Sequence, residues 1–358
     1  MPNNNRIYFA LEDLAFSKVG TSTYTHAHGV QSLGISVNYN LQPILELGQV
    51  ALYQNLEQVP DVEMTAEKVL DGYPPLYTLA TWGATDPTLS GRANIQTTVG
   101  LALFADTQTS SSGTPIAEMI SSGMFVSQVG YNFTSDGYFT ETISLLGTSK
   151  IWQTSAFTFT GGFLGNNDVP LSLTSGTGGV QRRQNFIFSY PNLATDVNGS
   201  VNATNGANRA CVMPQDIPGI SASGTNDKTG GQFGAHIRSV STSVNLGREP
   251  IYELGRRFYY YRYVQFPVQV TTDIEVTAHT GDLMNITEAG SAGGGNNLSN
   301  RTIKLATDEG LFIDLGTTNK CNSVQYGGGD TGGGNLTITF GYVNWDNFTV
   351  YHLMDPSF

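Results

Sequence analysis

Two histidines one residue apart, His26 and His28, are the first residues in this chain whose types and spacing could do chemistry. On a strand they would share a face, as a two-imidazole metal clamp requires, but no third ligand follows nearby. His236, His279 and His352 are scattered, and the stretch QFGAH that corresponds to HAH later in the chain keeps only one histidine. Cys211 and Cys321 are too few for a disulfide framework and read as reduced thiols. The triglycine runs at 293–295, 327–329 and 332–334 lack the Lys-Ser/Thr of a phosphate cradle and read as hairpin tips. Asp196, Asn198 and Ser200 start like a calcium loop, yet its twelfth position is Ala207. Glu46 and Glu253 occupy matching positions and read as structural. No catalytic centre, metal or cofactor is expected.

One cationic cluster stands out. Arg248, Arg256, Arg257 and Arg262 are interleaved with Phe258, Tyr259, Tyr260, Tyr261 and Tyr263. Arginine beside aromatics can stack and grip single-stranded nucleic acid. The chain as a whole has the opposite footprint, with 29 acids against 17 Lys and Arg and a net charge of −12. Glu57, Asp61, Glu63, Glu67 and Asp71 crowd the corresponding earlier stretch. The simpler expectation is that the arginines of this later stretch face the acids of the earlier one across a module–module contact. Arg248, Arg256, Arg257, Arg262, Glu46, Glu253, Glu57, Asp61 and Glu63 are therefore the candidate interface residues.

The elements that must position them are strands. Only 13% of residues are charged and 42 of 358 are glycine, which suits an all-β chain with many tight turns. SLGISVNYN and VEMTAEKV, like SVSTSVNLG and VQVTTDIEV, alternate at period two. VGYNFTSDGYFTETISL reads as a hairpin around Ser-Asp-Gly. TPIAEMISSG (114–123) is the best helical candidate. Pro43 and Pro250 predict a strand that is bent, bulged or at an edge.

The strands come in two sets. Residues 32–49 and 239–256, offset by 207, share nine of eighteen positions, including PILELGQ against PIYELGR. Further blocks follow in the same order: 5–14 with 208–217, 60–69 with 267–276, LFAD (103–106) with LFID (311–314), and 129–145 with 324–340. The expectation is one module written twice, at 1–200 and 205–358, with a long loop or linker at about 153–204. The first holds 15 acids and 7 bases, the second 14 and 10.

These blocks resemble phage major tail tube proteins. SVNYNLQPILELGQ, VPDVEMTAEKVLDG and VSQVGYNFTSDGYFTETISLLGTSKIW carry the likeness in the first half, and SVSTSVNLGREPIYELGRRFYYYRYVQFPVQVTTDIEVTAHTGD in the second. Residues 153–200 match nothing in that family. The resemblance implies two tandem β-sandwich or barrel modules, each with a short helix. In that family inner strands join edge to edge into rings, and the rings stack into a hollow tube through which double-stranded DNA leaves.

It further implies a structural virion protein rather than an enzyme, assembled in the bacterial host cytoplasm. Its partners would be copies of itself, tape-measure, tail terminator and baseplate proteins, and in a contractile tail a sheath, with no membrane. Single-module relatives close with six modules, so two tandem modules predict a trimer with pseudo-sixfold symmetry rather than a hexamer. A tube-initiator or tail-completion protein of the same fold is the near alternative. A secreted glycan-binding β-sandwich is the distant one, prompted by eight Asn-x-Ser/Thr acceptors. No signal peptide is legible in MPNNNRIYFALEDLAF, which argues against it.

Overall fold

The computed structural model describes residues 12–21, 24–105, 115–154, 179–188, 210–226, 228–229, 232–284, 298–307, 310–328 and 334–352. The chain is mainly β. Its first half contains β1 (Glu12–Lys18), β2 (Thr25–His26), β3 (Val30–Asn38), β4 (Leu41–Leu45), β5 (Leu52–Glu57), β6 (Asp61–Val69), β7 (Gln96–Leu103), β8 (Ala117–Thr134), β9 (Thr140–Gly147) and β10 (Ile151–Gln153), with short helices α1 (Leu76–Ala80) and α2 (Leu89–Arg92) before β7. The second contains β11 (Lys228–Thr229), β12 (Gln232–Phe233), β13 (Ile237–Asn245), β14 (Arg248–Ile251), β15 (Tyr261–Val264), β16 (Gln269–Thr277), β17 (Lys304–Ala306), β18 (Leu311–Asp314), β19 (Lys320–Gly327), β20 (Thr337–Trp345) and β21 (Thr349–His352).

Eight strands run side by side, all antiparallel, in the order β3-β6-β9-β8-β13-β16-β20-β19. Alternation explains why this sheet buries one face only. On β6, Val62, Met64, Ala66 and Lys68 point inward while Glu63 and Thr65 face solvent; on β16, Val270, Thr272, Ile274 and Val276 point inward while Asp273 faces out. Each four-strand block bulges at corresponding places. Gln31 is the extra residue of β3 and Arg238 of β13; Ser127 is the extra residue of β8 and Asn322 of β19.

β8 is long because it serves two layers. Its C-terminal part pairs with β9 and β13; its N-terminal part pairs with β7 and β10, and β7 continues to β1 and β2. Leu14, Leu101 and Met119 of that outer layer share one buried cluster with Met64, Val129 and Ile143 of the inner sheet. In the second half the same passage is broken after Asp314, and β17-β18-β21 form a separate sheet. Gly316 sits at the break with φ +71°, close enough to Asn347 that a Cβ would collide.

The halves share a core. Phe348 meets the rings of Tyr77 and Tyr131 at 5.8 and 6.4 Å. Residues 179–188 stitch the halves together: Gln181 bonds the backbones of Leu70 and Phe139, and Ile187 those of Ala306 and Cys211. This part of the tract expected as loop is thus ordered by backbone pairing, whereas residues 155–178 and 189–209 lie outside the described residues, as do 5–11 and 293–295. Both cysteines are free and buried.

Three sequence expectations need correction. Residues 117–123, within the best helical candidate, form the start of β8, because Glu118, Met119 and Ser121 are buried between paired strands. LFAD and LFID are not counterparts. Leu103 ends β7, while Leu311–Asp314 form β18 and hold the place of β8's N-terminal part, both pairing with the strand that follows the hairpin. Finally, β6 corresponds to β16 with an offset of 208 rather than 207, since Val62 pairs with Val37 as Val270 pairs with Val244. An offset of 207 would place inward Val62 on exposed Gln269.

Candidate assembly interface

The seven-residue repeat builds the tips of two hairpins that leave the sheet just after β3 and β13. β4 pairs only with β5, and β14 only with β15, so Pro43 and Pro250 cost no ladder hydrogen bond on their second side. At each tip the chain turns on Glu-Leu-Gly: Gln49 N–H donates to Glu46 O at 3.2 Å and Arg256 N–H to Glu253 O at 3.4 Å. Gly48 and Gly255 take φ of +87° and +84°, which the third position of a type II turn requires. The turn throws the preceding leucine outward. Leu47 and Leu254 are 102% and 105% exposed, and each has further exposed apolar neighbours in the chain, Leu45 and Val50 on the first hairpin and Tyr252 and Phe258 on the second.

The base of the second hairpin leans on the first half. Arg262, only 4% exposed, forms an ion pair with Asp61 and lies over the Tyr259 ring at 4.3 Å. Arg257 pairs with Glu57 at 3.5 Å. Arg248 donates to the carbonyls of Val126 and Ala93, each at 2.6 Å, and stacks on Phe125 at 4.7 Å. Burial pulls its pKa down to about 10. Tyr261 completes the wedge, its hydroxyl donating to Asn94 O at 2.6 Å. Arg256 pairs within its own tip, with Glu253 at 3.5 Å. Glu46 closes the first tip through its carbonyl, and Glu63 sits exposed on β6 opposite Ser36 and Leu146. Of the four arginines, Arg248 and Arg262 are enclosed in the contact between halves and do not present a cationic surface to phosphate.

That contact is centred on a strand pair that sequence reading did not name. β8 and β13 pair from Gln128 opposite Asn245 to Thr134 opposite Ser239. The solvent face of the eight strands is lined chiefly by small hydroxyl and amide side chains: Ser36, Thr65, Thr142, Asn132, Ser241, Thr271, Thr339 and Gln325 represent it strand by strand. Glu63, Glu67, Asp273 and Glu275 give it negative charge. The alternating Ser239, Ser241 and Ser243 were the sequence signal for this face. The strands at the two ends, β3 and β19, each have one paired side only.

The remaining titratable clusters serve the core. Glu141 is fully buried and accepts from the backbone N–H of Leu76 and Tyr77 and from Tyr131 hydroxyl, capping α1; burial raises its pKa against the pull of these bonds. Buried Lys68 reaches Asp71 at 2.8 Å and the His28 carbonyl. His28 stacks on Tyr73 at 3.8 Å and meets the His26 ring at 4.4 Å. Among the described residues no helix is long and apolar enough to cross a membrane.

No protein-family model matches the sequence, and no curated protein sequence matches it. Among solved structures, the chain is similar to a protein in the 6-fold symmetrised baseplate of the anti-feeding prophage, at 12% identity and a TM-score of 0.32, covering 42% of this chain and 98% of that one. A protein in the extended sheath–tube complex of an extracellular contractile injection system gives 12% identity and 0.30, covering 43% and 95%. A crystal structure of Hcp protein gives 11% and 0.23, covering 40% and 98%. At such scores, function has to come from the chain's own geometry.

Proposed function

We propose that the chain is a structural tail-tube protein made of one module written twice, and that copies of it close into rings that stack around a DNA channel. The observation that carries this is the order β3-β6-β9-β8-β13-β16-β20-β19. Its two blocks repeat the same strand sequence and the same bulges, joined through β8 and β13. The same joint is left unmade at both ends, at β3 and β19, so it can recur between chains. A head-to-tail contact of this kind closes a ring or grows without end.

Barrel size favours three chains. At a strand spacing of about 4.8 Å and a tilt of about 40°, a barrel of roughly 24 strands is about 48 Å across at the backbone. Side chains then leave room for a hydrated duplex, whose two grooves are each about 8 Å deep. Two chains would give about 32 Å, too tight once side chains line the wall, and six about 96 Å, far wider than needed. The hydroxyl face with its four acids would line the bore. Its cations are Arg238, already paired with Glu275 at 3.6 Å, and Lys320 at the β19 end, so the acids outnumber them and a phosphate backbone would find little to hold it. The leucine-tipped hairpins would carry the contacts between stacked rings. The role would be non-enzymatic, in a phage virion, with terminator, tape-measure and baseplate proteins at the ends of the tube. Electron microscopy of the concentrated purified protein tests this: rings or tubes are expected, and a monomer at every concentration would overturn it.

A further inference from the structure

Resting on that ring reading, we infer that the joint between chains repeats the register of the internal β8–β13 joint but carries none of its ion pairs. The ladders supply the transposition. β13 corresponds to β3 with an offset of 207, and the C-terminal part of β8 corresponds to β19 with an offset of 195. Inside the chain Ser243 lies opposite Gly130 and Val244 opposite Val129. Transposed, Ser36 of one chain lies opposite Gln325 of the next, and Val37 opposite Val324. Ser36 and Gln325 are both exposed in the single chain.

The same transposition strips the charge. Arg262 becomes Asn55 and its partner Asp61 becomes Gln269, so an ion pair turns into two amides able to hydrogen-bond. Arg257 becomes Val50 and Glu57 becomes Val264, so a second ion pair turns into two apolar residues. Arg248 becomes Leu41. Two joints that share strand geometry therefore differ in kind: the one formed during folding is ionic, and the one formed during assembly is neutral. The difference also guards against misassembly. If β13 of one chain sought β19 of another, Arg262 and Arg257 would face Gln269 and Val264, leaving the desolvated Arg262 without an acid and the more exposed Arg257 without its partner. Only the first half of one chain fits the second half of the next.

Disulfide trapping tests the register, because opposed residues of an antiparallel pair have Cα atoms about 4.5–5.5 Å apart, within disulfide reach. Mild oxidation of Ser36→Cys/Gln325→Cys should link chains into covalent dimers and trimers. Ser36→Cys/Ser323→Cys, on the same face but two residues away, should not. Asn132→Cys/Ser241→Cys, opposed within one chain, should close without linking chains. Assembly of the unmodified protein should change less than about twofold between roughly 50 mM and 1 M salt, although screening is nearly complete at the higher value. Rings that link through Ser323, or not at all, would overturn the register while leaving the ring standing. Rings that dissolve in salt would overturn the neutral joint, and failure to form rings would remove both.

Discussion

Arg262 ties the base of the second hairpin to the first half, and its effect belongs to the single chain. Replacing it with glutamine leaves Asp61, 40% exposed, beside a neutral group and removes the cation from the Tyr259 face. Arg262→Gln should lower the unfolding free energy by about 1–3 kcal/mol in urea titrations. Asp61→Asn should cost less, because the half-exposed carboxylate keeps much of its hydration, and a double-mutant cycle should show coupling of about 1 kcal/mol. Unchanged stability in Arg262→Gln would refute the role given to this pair.

His28 predicts a pH effect. Burial, then the charges of His26 and Lys68, lowers its pKa from 6.5 to about 4. The unfolded chain therefore takes up a proton below about pH 6.5 that the folded chain refuses until about pH 4. This contribution to stability is complete above 6.5, is lost as pH falls through that window, and stays lost below it. His28→Phe, which keeps the stack on Tyr73, should flatten melting temperature against pH between 6.5 and 4; parallel curves would contradict this.

At the scale of elements, the sequence made the strands legible and hid what connects them. Period-two alternation located β3, β6, β13 and β16 because each has one wet face and one dry face. It failed at residues 117–123, where partners on both sides bury neighbouring residues in succession and erase the alternation. It failed again at LFAD and LFID, because four residues of identity carry less information than a ladder of paired strands. Helix α1 was invisible for another reason. Its five residues hold together through Glu141, 65 positions from Leu76, and no local pattern signals such a cap. Glu141→Gln should cost about 1–2 kcal/mol, since an amide offers one acceptor oxygen where the carboxylate offers two; an unchanged unfolding midpoint would argue against the cap. The hairpin tips are legible in the sequence as a repeat, whereas the full exposure of their leucines is not. Leu47→Ser/Leu254→Ser should shift monomer stability by less than about 0.5 kcal/mol, because both side chains are fully exposed. The same change should leave rings unable to stack, which sedimentation would report as a loss of long particles; full-length tubes from this variant would remove the tips from the stacking contact.

For the whole molecule, the repeated order of strands matters more than any one side chain. The candidate acids and arginines were legible because charge is sparse, and Arg257, Arg262, Glu57 and Asp61 do lie together. Their place at a joint inside one chain was not legible, since sequence alone cannot distinguish a contact within a chain from the same contact between chains. Everything at this scale follows from treating β3 and β19 as the two halves of a joint already built once at β8 and β13. The most direct measurement is a symmetry-free electron cryomicroscopy reconstruction of particles assembled from the purified protein. Three chains per ring are expected, with first and second halves alternating around a common barrel and distinguishable by the arginine-bearing hairpin of every second module. Six chains per ring, each placing only one half on the barrel, would contradict the account.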